Sequence, residues 1–127
     1  MYELADQGFA IEHRLLDERT KQAEILRRDP SAATPLARVA EIDELLDHRG
    51  YFQRDAEIGR VLQGLGFSPS DITRPLREFS GGWQMRASLA RTLLTRADIL
   101  LLDEPTNYLD SEARIWLAQF IRTYSGG

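Results

Sequence analysis

At 127 residues the chain is long enough for one domain with a core, and its 43% apolar and 28% charged content excludes wholesale disorder. The absence of cysteine excludes structural disulfides and thiolate metal sites and fits a reducing compartment. No apolar run approaches the roughly 18 residues a membrane span needs, and the start, MYELADQGFAIEH, lacks the basic flank of a secretory signal, so a cytoplasmic setting is expected. The net charge of −4 is unevenly spread. Residues 1–50 carry seven Arg/Lys against eleven Asp/Glu, and residues 51–96 carry seven Arg against four acids. The acidic first third gives no electrostatic footprint for nucleic acid, whereas the basic middle would welcome an anion.

Residues 2–28 read as a long polar helix, with Leu4, Ile11, Leu15, Ile25 and Leu26 as its apolar stripe and Gly8 as a weak point. Asp29-Pro30-Ser31-Ala32-Ala33 reads as a turn. A second helix is expected to start with Thr34 as N-cap and Pro35 at its first position, to carry Leu36, Val39, Ile42, Leu45 and Leu46, and to stop at Gly50. The two helices predict an antiparallel hairpin over 1–50. Residues 52–63 predict a third helix, with Ile58, Val61 and Leu62 apolar and Gly64 and Gly66 as stop signals. Residues 67–75 predict a connection that holds one short helical turn.

Ser80-Gly81-Gly82 precedes a helical pattern from Trp83 to Thr95, with Met85, Leu89 and Leu93 on one face. Ser80 is placed to cap this helix, and the two glycines open backbone N–H groups to close approach at the positive end of its dipole. Such a terminus suits a phosphate, although most Ser-Gly-Gly triplets are simple turns. Ile99-Leu100-Leu101-Leu102 is apolar at every position, the pattern of a strand covered on both faces in a parallel sheet. Asp103 and Glu104 end it, where ligands sit in open α/β sheets. Asp103 has the hard oxygens that Mg²⁺ prefers, and Glu104 could orient or deprotonate a water; a buried strand ending in solvated acids gives the same string. Pro105 to Tyr108 is turn chemistry. Asp110 or Ser111 then caps a helix to about Tyr124, in which Trp116 with Phe120 and Leu117 with Ile121 form i,i+4 pairs.

Together these segments resemble the ATP-binding cassette ATPases. Phe79-Ser80-Gly81-Gly82-Trp83 is similar to their signature motif, and Arg86 and Ala90-Arg91 match the helix after it. Ile99 to Glu104 resembles the Walker B strand with its catalytic glutamate, and Asn107-Tyr108-Leu109-Asp110 resembles the D-loop. Trp83 in place of the usual Gln, and Asn107-Tyr108 in place of Ser-Ala, are similar to the ABC-F branch of soluble tandem-cassette, ribosome-associated proteins. In that branch a helical arm precedes the first signature, and residues 2–49 look like a short one.

The resemblance implies an α/β fold: a piece of a P-loop NTPase cassette, mostly helical here, with a helical hairpin insertion and one core parallel strand. It implies a hairpin at 1–50, a helical subdomain with the signature at 51–96, and the strand, D-loop and following helix of the ATPase core at 97–127. It implies ATP and Mg²⁺ as cofactors, Asp103 for the Mg²⁺, Glu104 as general base, and Ser80, Gly81 and Gly82 on the γ-phosphate of ATP held mainly by a second cassette. The D-loop would signal across that dimer. Ribosomal RNA or tRNA would be a partner of the intact protein, and no membrane would be. Trp83 reads either as a packing residue or as a residue of the site.

The chain has no GxxxxGK[ST] loop, and its one lysine, Lys21, sits in a helical pattern. Gln7 has no supporting context as a glutamine loop, and His13 and His48 lie upstream of where a switch histidine belongs. The expectation is therefore a partial cassette, inactive alone, whose core strand lacks neighbours. Two alternatives stay open: the ATP-binding subunit of a membrane transporter, and a non-catalytic helical binding module.

Overall fold

The computed structural model describes residues 1–95, 101, 102 and 104–124. Six α-helices occur among the described residues: α1 Tyr2–Asp6, α2 Ala10–Arg28, α3 Ala33–His48, α4 Arg54–Gly64, α5 Gly81–Leu94 and α6 Ser111–Thr123. Short 3-10 turns join several of them, and no strand occurs among the described residues. The expected strand falls mostly outside them, since Ile99, Leu100 and Asp103 are not described; Leu101 and Leu102 adopt neither helix nor strand. The chain divides into two compact units, one made of Phe9–Arg54 and the other of Met1–Gly8 with Asp55–Gly127.

The Phe9–Arg54 unit is the α2–α3 hairpin. Its apolar core is small: Ile42, Leu46 and Tyr51 are buried, with Leu15 and Leu16 packed against them. Ile11, Ile25 and Leu36, expected on the apolar stripes, are exposed. Ion pairs between the helices do much of the joining. Glu12 pairs with Arg49 at 2.7 Å, Glu18 with Arg38 at 2.6 Å, and Arg19 with Asp43. Glu12, near the start of α2, pairs just beyond the end of α3, whereas Glu18 and Arg19, further along α2, pair with Arg38 and Asp43 inside α3, as an antiparallel pair requires. The outer pairs are half-exposed, so solvent screens them and each contributes little. Glu12 is only 2% exposed, so removing Arg49 would strand a buried charge at a cost of about 3–5 kcal/mol. Arg38 donates to Glu18 and holds that carboxyl below its ordinary range. That contribution is therefore present above the ordinary carboxylate value and lost as pH falls through the lowered one.

α3 starts at Ala33, two residues before the expected first position at Pro35. Ala32 is the N-cap residue and makes no side-chain cap bond. Pro35 is still tolerated there, because first-turn N–H groups have no partner inside the helix. The preceding turn is tied instead by Asp29, whose carboxylate accepts from the Ser31 backbone N–H and hydroxyl. Gly50 ends the hairpin in the left-handed region, at φ 73°.

In the other unit, α1 packs on α5. The expected continuous helix over 2–28 breaks at Gly8, in a 3-10 turn. A Cβ on Gly8 would lie 2.8 Å from the Arg91 carbonyl and 2.9 Å from Leu94 Cβ, so this backbone approach needs glycine. The buried face of α5 is Arg86, Ala87, Ala90, Leu93 and Leu94, rotated from the expected Met85–Leu89–Leu93 face; Met85 is exposed. Ile58, Val61 and Leu62 of α4 are buried, as their spacing requires. Gly64 lies so close to α6 that a Cβ would fall 2.0 Å from the Trp116 ring. Asp110 caps α6 by accepting from the Ala113 N–H at 2.9 Å, and Trp116 stacks on Phe120 at 5.3 Å.

Two glycines on α4 should therefore respond with opposite sign. Gly64→Ala is expected to destabilise by about 2 kcal/mol or more through overpacking. Gly59→Ala, with nothing within 4 Å of its added methyl, should stabilise by about 0.5–1 kcal/mol. Chemical denaturation of the two variants beside the parent measures both.

Candidate functional site

The candidate residues gather around the start of α5. Ser80 is its N-cap residue, in extended conformation, but its hydroxyl makes no cap bond. Gln84 supplies the local support: its backbone N–H donates to the Ser80 carbonyl at 2.9 Å and its side-chain amide to the Phe79 carbonyl at 2.9 Å. The Ser80 side chain and the first-turn N–H groups are thus left to face outward.

Gly81 and Gly82 differ from the structural glycines. Neither has positive φ. A Cβ on Gly81 would meet nothing within 4 Å, and one on Gly82 would meet only the Tyr108 ring, at an ordinary 3.6 Å. By contrast, Gly66 has φ 103° and lies under Arg86 and Trp83. Packing among the described residues does not explain why residues 81 and 82 are glycine. A helix terminus without side chains is one that an anion can approach closely.

Arg86 ties this start to the two neighbouring loops. It is 8% exposed. Its Nε donates to the Tyr108 carbonyl at 2.8 Å and its Nη1 to the Leu65 carbonyl at 2.9 Å, with Asp110 Oδ2 at 3.6 Å. The guanidinium lies 4.2 Å from the Trp83 ring centroid, and Trp83 also meets Phe67 edge-on at 5.0 Å. Trp83 is therefore a packing residue that forms a platform for Arg86. Sequence reasoning placed Arg86 only as a match to the helix; an arginine beside a tryptophan on an otherwise small-residue face was the available signal.

Glu104 to Asp110 form the facing turn. Glu104 has φ 47°, unusual for a residue with a Cβ and costing about 1 kcal/mol or more. The Asn107 N–H donates to the Glu104 carbonyl at 3.3 Å, and the Asn107 side-chain amide to Glu104 Oε2 at 2.8 Å. Tyr108 is exposed and Leu109 buried. A pocket of ≈ 280 Å³ opens between this turn and α5, lined by Met85, Leu89, Leu102, Glu104, Asn107 and Tyr108 among others. Asp103, expected for the metal, lies outside the described residues. His13 and His48 lie on the hairpin, where His13 meets Tyr51 edge-on at 5.6 Å.

Residues 5–107 match the family model described as ABC transporter. The chain belongs to that family. Within it the similarity falls on sub-family F. The chain is 44% identical over 108 residues to ATP-binding cassette sub-family F member 3 of Homo sapiens, covering 84% of this chain and 15% of that protein. It is 48% identical over 88 residues to the Mus musculus member 3, covering 69% of this chain and 12% of that one. It is 40% identical over 110 residues to "Probable ATP-binding protein YheS" of Escherichia coli (strain K12), covering 87% of this chain and 17% of the relative. The chain thus spans less than a fifth of the length of the curated relatives it matches, 19% at most among these sub-family F members. Among the described residues no helix is long and apolar enough to cross a membrane.

The Arg86 junction sets a stability test. Arg86→Met should cost about 2–4 kcal/mol, because two inward carbonyls lose their donors. Arg86→Lys should recover little, since one ammonium cannot reproduce the planar fork that spans both loops. Urea midpoints of the three proteins would reveal the order.

Proposed function

We propose that this chain is part of an ATP-binding and ATP-hydrolysing cassette of an ABC-F-type protein. The reading rests on one observation above others: Gly81 and Gly82 open a helix terminus where an added Cβ would meet no tight contact among the described residues. Ser80, Gly81 and Gly82 would hold the γ-phosphate of ATP carried mainly by a second cassette. Their outward N–H groups and the helix dipole supply the attraction, and the missing side chains supply the room. Glu104 would be the general base, orienting a water and accepting its proton. Asp103 would hold Mg²⁺, which neutralises phosphate charge when bound. The D-loop residues Asn107, Tyr108, Leu109 and Asp110 would relay the state of one site to the other. Arg86 supports this by holding the Tyr108 carbonyl on the helix that starts at the phosphate site.

In this reading the architecture is α/β, with residues 99–102 as a core parallel strand. Leu101, at 85% exposure, and Met85 then face the rest of the cassette. The intact protein would act on the ribosome in the cytoplasm, with ribosomal RNA or tRNA as contacts of the α2–α3 hairpin. The sub-family F similarity supports this, as does the hairpin's position ahead of the helix resembling the signature. The 127-residue chain alone would hydrolyse no ATP, having no GxxxxGK[ST] loop.

Two variants of the intact protein test the assignment. Glu104→Gln should leave ATP binding in place and reduce turnover by about two orders of magnitude or more; normal turnover would remove Glu104 as the base. Gly81→Ala should leave the melting temperature unchanged while ATPase activity falls. Equal activity in that variant would mean that no ligand needs the space.

A further inference from the structure

Glu104 carries a backbone conformation its own side chain disfavours, and one neighbouring residue holds it at two points. The Asn107 N–H closes the turn on the Glu104 carbonyl at 3.3 Å, and the Asn107 amide donates to Glu104 Oε2 at 2.8 Å. Pro105 lies between them with a fixed φ, so the span from Glu104 to Asn107 has little freedom. We propose that Asn107 is a positioning residue that fixes the Glu104 carboxylate for the hydrolytic step. The proposal rests on the reading of Glu104 as general base and adds a role that signalling across a cassette dimer does not require.

The chemistry of an amide suits this task. A carboxylate at the surface of a turn otherwise samples several rotamers, and a base works only from the orientation that meets its water. One N–H···O bond fixes the plane of the group. With Oε2 held, Oε1 has a defined direction and keeps its lone pairs for a water proton. A neutral donor orients the carboxylate without placing the full charge of a lysine or arginine beside it. Asn107 is also the last residue of the turn that Glu104 begins, so movement of the loop carrying Tyr108 to Asp110 reaches the carboxylate through one side chain.

The test uses the intact protein and reads kcat, KM for ATP, equilibrium ATP binding and melting temperature. Asn107→Ala should lower kcat about tenfold with KM and ATP binding unchanged. Asn107→Asp keeps the shape and removes the donor, so it should lose at least as much kcat at an unchanged melting temperature. Asn107→Gln, which keeps an amide donor, should retain more kcat than Asn107→Ala. In a Glu104→Gln background, Asn107→Ala should cause no further loss, because it acts only through the carboxylate. An unchanged kcat in Asn107→Ala would overturn the proposal. So would a loss confined to KM, or an additive loss in the double variant. Normal turnover in Glu104→Gln would instead remove the general-base reading itself, and the proposal with it.

Discussion

The buried guanidinium of Arg86 is the constraint on which the candidate site depends. The 64–67 turn, the first turn of α5 and the 104–110 turn have no ladder of backbone hydrogen bonds joining them. A single planar group joins them instead, donating to Leu65 on one side and Tyr108 on the other. Both carbonyls would otherwise be costly orphans. Trp83 covers the guanidinium and Phe67 supports Trp83, so the charge is enclosed by π-faces and acceptors rather than by a buried carboxylate. Gly66 has to be glycine for the same reason: its Cβ would fall 2.8 Å from Arg86 Nη1.

This separates two kinds of glycine. Gly8, Gly64 and Gly66 answer to contacts inside the chain, with neighbours at 2.0–2.8 Å from a notional Cβ. Gly81 and Gly82 meet no such close contact among the described residues. A sequence presents all five as turn or break signals. Only the packing around them distinguishes the glycines that contacts inside the chain require from those that they do not.

Much of the local structure was legible in the sequence. The 3.6-residue spacing of Ile58, Val61 and Leu62 located the buried face of α4, and of the two caps the sequence offers for α6, Asp110 and Ser111, the structure uses Asp110. The start of α3 was not, because Thr34-Pro35 carries strong cap chemistry while the Asp29-centred turn had already fixed the chain at Ala32. Reading by apolarity favours Met85 and Leu89, whereas the buried face of α5 carries the small residues Ala87 and Ala90, which apolarity alone does not single out. The residues resembling the signature and D-loop were legible as motifs. Their connection through Arg86, and the bond from Asn107 to Glu104, join side chains to groups that no spacing rule brings together.

The hairpin also differs from what its apolar stripes imply. Its helices are joined by a sparse core around Ile42 and Leu46 and by rungs of opposite charge, of which only Glu12–Arg49 has a buried member. Exposed rungs are screened as salt rises, while an enclosed one is largely spared. The hairpin is therefore graded along its length. The end at Glu12 and Arg49 stays fastened over a wide range of ionic strength, and the end near residues 29–32 loosens first. A helical pair built this way works as a tapered spring, stiff at one end and compliant at the other, with its compliance set by the surrounding electrolyte.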